Sequence, residues 1–137
     1  MRHGNAGSGK TDHDRPLTSD GETVCRETAK QLLAAGLKPD HVLVSDARRT
    51  VHTESIVRKV IGSPAPTPDR DLYLASADGY RLAISRTPDA VKCVLLVAHN
   101  PGLSQLASRL RGTPIALQPG DYSIVCGESP NWSEVVS

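Results

Sequence analysis

An open α/β sheet, mostly parallel and flanked by helices on both faces, is the fold class this chain predicts, and three observations carry it. Short apolar runs at His41–Val44 and Val91–Ala98 alternate with segments of helical periodicity, the order that builds parallel sheets. The second run is apolar almost without alternation, as strands covered on both faces are. Gly36, Gly62 and Gly112 each follow a helical stretch, where a left-handed residue closes a helix. A chain of 137 residues suits a single domain over residues 1–137 with one real core.

The elements follow in order. From Thr18 a helix is signalled by Ser19 with Glu22 three residues later, a capping box, and by Val24, Cys25, Ala29, Leu32 and Leu33 at helical spacing up to Gly36. His41 to Val44 is a short buried strand. Thr50 to Ile61 then sets Thr53, Ile56, Val57, Val60 and Ile61 along one helical face, and the prolines between Ser63 and Asp69 make a loop. A weaker helix is expected over Asp78 to Arg86, with Leu82 and Ala83 inward. After the strand Val91–Ala98, Asn100 caps a helix whose first turn takes Pro101 and whose inner face carries Leu103, Leu106, Ala107 and Leu110. Tyr122 to Cys126 and Trp132 to Val136 are expected as strands that finish the sheet, the last at an edge.

Sixteen basic against fifteen acidic residues leave no global charge that would point to nucleic acid or an anionic membrane. The longest apolar run, Val94 to Ala98, is far too short to span a bilayer, and no basic stretch leads into an apolar one at the N-terminus. Cys25, Cys93 and Cys126 fit neither a disulfide framework nor a zinc site and are expected as reduced core thiols. These features describe a cytoplasmic domain. His13, His41 and His52 are expected at the surface.

In open α/β sheets, ligands bind beyond the carboxyl ends of the strands. Arg48 and Arg49 follow the strand at Val42 to Val44, and His99 follows the strand ending at Ala98. Arg2 and His3 leave the same edge if a strand precedes them, so three separate regions converge on one crevice over His3. Taken singly they are ordinary: a frayed terminus, a satisfied strand-end histidine, two solvated arginines. Arginine is disfavoured at the positive end of a helix, however, which argues for an anionic partner at Arg48 and Arg49.

Arg2-His3-Gly4, with Ser45-Asp46-Ala47-Arg48-Arg49-Thr50 and Leu95-Leu96-Val97-Ala98-His99-Asn100 far downstream, resembles the histidine phosphatase superfamily. Within it the chain is similar to the small SixA-type phosphohistidine phosphatases, whose Arg-Pro-Leu-Thr and Gly elements recur as Arg15-Pro16-Leu17-Thr18 and Gly21. The resemblance implies a phosphoglycerate-mutase-like fold and hydrolysis of a phosphohistidine or phosphomonoester through a phosphohistidine enzyme intermediate. It makes His3 the nucleophile, His99 a donor to the transferring oxygens, Arg2 and Arg49 their clamp, and Arg15 a further phosphate-binding cation. Arg48 is then the solvated member of its pair. It implies no metal and no cofactor, and a phosphorylated protein or small phosphorylated molecule as substrate.

The residue types suit that chemistry. A phosphoryl group carries its charge on three peripheral oxygens, so the site must supply positioned cations and an unprotonated nucleophile. The attacking nitrogen of His3 stays free only if the other ring nitrogen donates to a fixed acceptor, and surrounding cations favour the neutral ring. Larger members of the superfamily, such as the phosphoglycerate mutases, carry an insertion that recognises sugar phosphates and a carboxylic acid that protonates the leaving oxygen. Ser63 to Asp78 is too short for the insertion. Asp71 is the best remaining acid candidate and Asp14 a poorer one, with a solvated loop carboxylate as the alternative for each. Without a committed acid, an imidazole leaving group of pKa about 6.5 is easier to expel than an alkoxide near roughly 15.7, which favours an activated phosphate.

Two alternatives stand beside this. Gly4-Asn5-Ala6-Gly7-Ser8-Gly9-Lys10-Thr11 satisfies the pattern of a nucleotide-binding P-loop. A working P-loop must run straight into a helix, however, and Asp12-His13-Asp14-Arg15-Pro16 lacks apolar periodicity and has Pro where the second turn would be. The other alternative is a phosphate-binding domain without turnover. It follows from a last expectation, that the sheet lacks the apolar first strand which precedes Arg-His-Gly in the resembling family, leaving the chain marginally stable and weakly active.

Overall fold

A parallel pair of strands forms the centre of the computed structural model, which describes residues 1–137. β1 (His41–Val44) lies beside β2 (Val94–Val97), with His41 opposite Val94 and Val44 opposite Val97. Parallel bridges widen the pair on both sides, Ser45 with Asp69 beyond β1 and Arg2 with Ala98 beyond β2. Two helix pairs pack around it, α1 (Ser19–Ala34) on α2 (Arg48–Ile61) and α3 (Ala77–Ser85) on α4 (Gly102–Arg111). The core is correspondingly split. Met1, Leu17, Cys25, Ala29, Leu32, Ile56 and Val57 cluster with α1 and α2, whereas Leu72, Tyr80, Leu103, Leu106 and Leu117 cluster with α3 and α4. Side chains alternate along a strand, so Leu95 packs on the first cluster and Leu96 belongs to the second. That is why β2 has no polar position.

Caps fix the helix ends. Thr18 rather than Ser19 caps α1, its Oγ1 accepting from the Gly21 amide at 2.9 Å. Ser76 does the same for α3, which begins at Ala77. Gly62 and Gly112 close α2 and α4 in the left-handed region, at φ 71° and 69°. The inward faces are narrower than the sequence predicts: Cys25, Ala29 and Leu32 form the buried stripe of α1, while Val24 and Leu33, each about 100° around the helix from that stripe, are exposed. Leu82 is exposed too, and Ala83 alone of that pair packs inward. The expectation of three core thiols is corrected likewise: all are free, but Cys25 is buried, Cys93 half-buried and Cys126 exposed.

The two strands expected at the end of the chain do not form. Trp132–Val135 is the short helix α5, because Asn131 caps it by accepting from the Glu134 amide at 3.0 Å. Tyr122–Cys126 carries no strand pairing at all.

The reason lies beside β2. Alternate residues of a parallel strand face one neighbour. The Cys93 and Val97 carbonyls accept from His41 and Ser45 on the β1 side, at 3.3 Å each, so Val94, Leu96 and Ala98 face the opposite edge. There the first three residues supply a short ladder: the Met1 amine donates to Leu96 O (2.8 Å), Ala98 N–H to Met1 O (3.1 Å) and His3 N–H to Ala98 O (3.2 Å). On its other side Arg2 N–H donates to Asp121 O at 2.9 Å. This ladder runs from Leu96 O to Ala98 O, short of Val94 and Leu95. Between them and Tyr122–Cys126 lies an apolar cavity of about 640 Å³, lined among others by Met1, Leu95, Leu96, Tyr122, Ile124 and Val136. Val94 and Leu95 are consequently only half-buried. The Met1 amine sits buried at the cavity end, and burial lowers its pKa from 8.0 to about 5.

Candidate active site

His3 is held from three sides. Its own N–H joins the ladder to Ala98, the next residue's amide donates to Thr53 Oγ1 on α2 at 3.1 Å, and Gly4 itself is wedged against α1. A Cβ at Gly4 would lie 2.7 Å from Cys25 Sγ and 3.0 Å from Gly21 O, so only glycine allows this approach. The His3 Nδ1 lies 2.7 Å from Gly4 O. A carbonyl can only accept, so Nδ1 carries the proton and Nε2 keeps its lone pair. Burial pushes the His3 pKa down to about 4, with Arg49, Arg2 and Arg15 adding to the effect against the Gly4 bond. The ring is therefore neutral at pH 7.

Arg49 comes from the first turn of α2, which starts two residues earlier than expected, at Arg48. It is only 3% exposed, whereas Arg48 points to solvent. Its Nε donates to His3 Nε2 at 3.3 Å, its Nη1 to Asp12 O at 2.6 Å, and its Nη2 to Asp12 Oδ2 at 3.0 Å. His99 follows β2 and is 1% exposed, its ring 5.3 Å from that of His3. The Ser45 hydroxyl, at the end of β1, lies 2.7 Å from His99 Nε2 and orients the ring. Burial, then the proximity of His3 and Arg49, lowers the His99 pKa to about 3. Two of the buried polar atoms without a partner are His99 Nδ1 and Arg2 Nε. Unpaired buried polar atoms are uncommon and point to a ligand or water that completes them. The rest of Arg2 is tied down by Nη1 donating to Leu117 O at 3.0 Å.

Arg15 reaches the site through the same loop as Asp12, donating to Gly7 O (2.9 Å) and Asp12 Oδ1 (3.1 Å). His3, Arg15, Arg49 and His99 thus form one cluster, linked directly or through Asp12 and Tyr73, and Arg2 lies near enough to His3 to lower its pKa. Asp71 and Asp14, the carboxylates expected as acid candidates, are exposed, and their carboxyl groups make no hydrogen bond or ion pair. The Gly4–Thr11 loop lacks the helix a P-loop requires, since residues 10–14 bend and turn and α1 begins only at Ser19.

Four residues escape sequence reasoning. Asp12 bridges Arg15 and Arg49. Tyr73 donates its hydroxyl to Asp12 and lies edge-on to His99 at 5.4 Å. His13, expected at the surface, is half-buried on the rim, 2.8 Å from Asp46 and edge-on to Tyr73. Ser45 aims His99. Only Ser45 carried a signal, its Ser-x-x-x-Arg spacing to Arg49; the others depend on contacts that join distant loops.

This geometry agrees with what the chain is similar to. An uncharacterised chloroplastic protein of Arabidopsis thaliana is 31% identical over 134 residues, which cover 90% of this chain and 61% of the plant protein. The chain thus spans less than two thirds of that relative. Among solved structures, the protein histidine phosphatase SixA complexed with tungstate is 27% identical with a TM-score of 0.79, covering 87% of this chain and 80% of that one. A SixA candidate phosphohistidine phosphatase from Agrobacterium tumefaciens is 25% identical with a TM-score of 0.76, over 82% of this chain and 74% of that one. The profile of the histidine phosphatase superfamily (branch 1) matches residues 1–73, more than half of the chain, and the protein belongs to that superfamily.

Proposed function

We propose that the protein is a phosphatase of the SixA type, which moves a phosphoryl group from a phosphohistidine or another activated phosphate onto Nε2 of His3 and then hydrolyses the enzyme phosphohistidine. The observation that carries this reading is the tautomer of His3: its Nδ1 proton is committed to the Gly4 carbonyl, and the Nε2 lone pair faces a buried arginine. In the first step Nε2 forms a bond to phosphorus as the bond to the leaving group breaks. The leaving group keeps that electron pair and takes a proton from solvent. In the second step a water oxygen attacks phosphorus, the N–P bond returns its pair to Nε2, and inorganic phosphate departs with the water's remaining hydrogen while one proton passes to solvent.

The charge on the phosphoryl oxygens is met by Arg49, Arg15 and Arg2, so the reaction needs no metal. With the Ser45 hydroxyl donating to His99 Nε2, the proton of neutral His99 sits on Nδ1, the atom that lacks a partner and is free to donate to a transferring oxygen. An expelled imidazole, of pKa about 6.5, needs little help from an acid. The SixA names of the relatives at 27% and 25% identity support a phosphorylated protein as the substrate.

The test is direct. His3→Ala should abolish turnover, and labelled substrate should leave an acid-labile, base-stable adduct on the wild type alone. His99→Ala and Arg49→Ala should each lower kcat/KM by roughly 100- to 1000-fold, the scale of one lost oxyanion donor. Turnover by His3→Ala overturns the mechanism. A higher kcat/KM on a sugar phosphate than on a phosphohistidine protein overturns the substrate class.

A further inference from the structure

Asp12 sits where an incoming phosphoryl group needs to be. Arg49 is buried, so its guanidinium is held in place, and all three of its nitrogens are engaged: Nε on His3, Nη1 on Asp12 O, Nη2 on the Asp12 carboxylate. The other carboxylate oxygen takes Arg15 Nη1 at 3.1 Å, and the Tyr73 hydroxyl donates to the oxygen that Arg49 holds. One carboxylate therefore spans the two cations beside the nucleophile, in the forked geometry a phosphate would use. Tyr73 first, then Arg49 and Arg15, hold its pKa well below the usual carboxylate range, so it stays ionised wherever the protein is folded.

Its anchorage is built for exchange. The carboxylate is 44% exposed, and Ser8 to Asp12 lie exposed at the mouth of the pocket. The backbone of this loop is held by three backbone hydrogen bonds, Asp14 to Thr11, Arg15 to Asp12 and Arg48 to His13, and by Arg49 Nη1 on Asp12 O. Withdrawing Asp12 leaves the apolar core untouched and frees both terminal nitrogens of Arg49.

We propose that Asp12 is an internal anion that competes with the phosphoryl group for Arg49 and Arg15, so that exchange of the two sets both affinity and selectivity. This rests on the reading of His3, Arg49 and Arg15 as a phosphoryl site. The selectivity follows from charge. A terminal phosphoryl group carries about two negative charges at neutral pH, so replacing a singly charged carboxylate by it strengthens the attraction to the arginines. A phosphodiester or a carboxylate ligand carries one charge, and gains nothing from the exchange. The site thus admits terminal phosphoryl dianions and rejects monoanions, without a wall that excludes them by shape.

The experiment titrates inorganic phosphate calorimetrically at pH 8 into the wild type, Asp12→Asn, Tyr73→Phe and Arg49→Ala. Asp12→Asn keeps the shape and an acceptor oxygen but removes the charge, so phosphate should bind about tenfold tighter, the size of one charge-assisted contact returned to the ligand. Tyr73→Phe should tighten it by a smaller factor, because it removes one anchor of the carboxylate and leaves the arginines. Arg49→Ala should abolish binding, which locates the signal. For an aryl phosphate, KM and the inhibition constant of phosphate should fall by the same factor in Asp12→Asn while kcat does not rise, and a phosphodiester should begin to inhibit. Equal or weaker phosphate binding by both Asp12→Asn and Tyr73→Phe would overturn the proposal and make Asp12 a strut of the loop. If Asp12→Asn tightens phosphate but no variant turns over any phosphate, the catalytic reading fails and the internal-anion reading stands.

Discussion

The buried amine of Met1 makes the stability of this protein depend on pH in a window where few groups titrate. In the unfolded chain the amine has a pKa of 8.0, and in the fold burial lowers it to about 5. A folded pKa below the unfolded one means that the unfolded state binds more protons between those limits, so stability rises with pH from about 5 to 8. The cost is fully present below pH 5 and gone above pH 8. Three pH units correspond to roughly 4 kcal/mol in total, and the stretch from pH 6.5 to 8 alone to roughly 2 kcal/mol. His3 and His99 have pKa values lowered from 6.5 to about 4 and about 3, and they act in the same direction. Half of each unfolded imidazole is still protonated at pH 6.5, so the two add roughly 0.8 kcal/mol that fades above that pH. The amine's share is the part that its acetylation removes. For a chain of this size, about 2 kcal/mol should move Tm by roughly 6–8 °C. The perturbation is acetylation of the Met1 nitrogen, which removes the charge and keeps an N–H for Leu96 O. Melting of the free and acetylated proteins followed by circular dichroism at pH 6.5, 7, 7.5 and 8 should give a Tm that rises more steeply with pH for the first than for the second. Parallel curves for the free and acetylated proteins would refute the argument.

Three other perturbations have defined outcomes. Ser45→Ala leaves the second ring nitrogen of a buried histidine unpaired, which costs about 1–3 kcal/mol. It should lower kcat/KM with little change in the circular dichroism spectrum, and restoration by Ser45→Thr would assign the loss to the hydroxyl. Gly21→Ala places a Cβ 2.4 Å from Asn5 O and pushes α1 off the loop. Urea denaturation should report a loss of about 1–3 kcal/mol or more, and an unchanged midpoint would mean that the loop yields freely. Lys10→Ala removes an exposed side chain on a loop with no helix behind it. Phosphatase turnover should stay within twofold, and ATP with magnesium should leave Tm unmoved.

The legible part of the site is the part carried by strand ends. Arg49 and His99 could be placed because a residue that follows a strand in an α/β sheet emerges at a known edge, whatever the rest of the chain does. His3 joins them through the bridge of Arg2 to Ala98. Asp12 and Tyr73 could not be placed, since they are 61 residues apart and their meeting depends on how two irregular loops fold back over Arg49. The helices were legible for a similar reason. Periodicity and caps are local, and the errors were confined to ends and flanks, as at Thr18, Arg48, Val24 and Leu33.

Strands obey a different rule, which explains why the end of the chain was misjudged. Tyr122–Cys126 has the composition of a strand and an extended course beside the sheet, yet a strand exists only through its partner's N–H and C=O groups. Its nearest possible partner is the line occupied by Met1, Arg2 and His3, and that line pairs with it no further than Asp121. Past that point the two walls face each other across an apolar gap of about 640 Å³. The same gap leaves Val94 and Leu95 half-exposed. Close to Met1 in the chain, His3 has a ladder bond to Ala98. Its aim therefore rests on three residues of backbone pairing and on Gly4 against α1, so whatever stiffens the Met1 end of the ladder should also sharpen the position of the His3 ring.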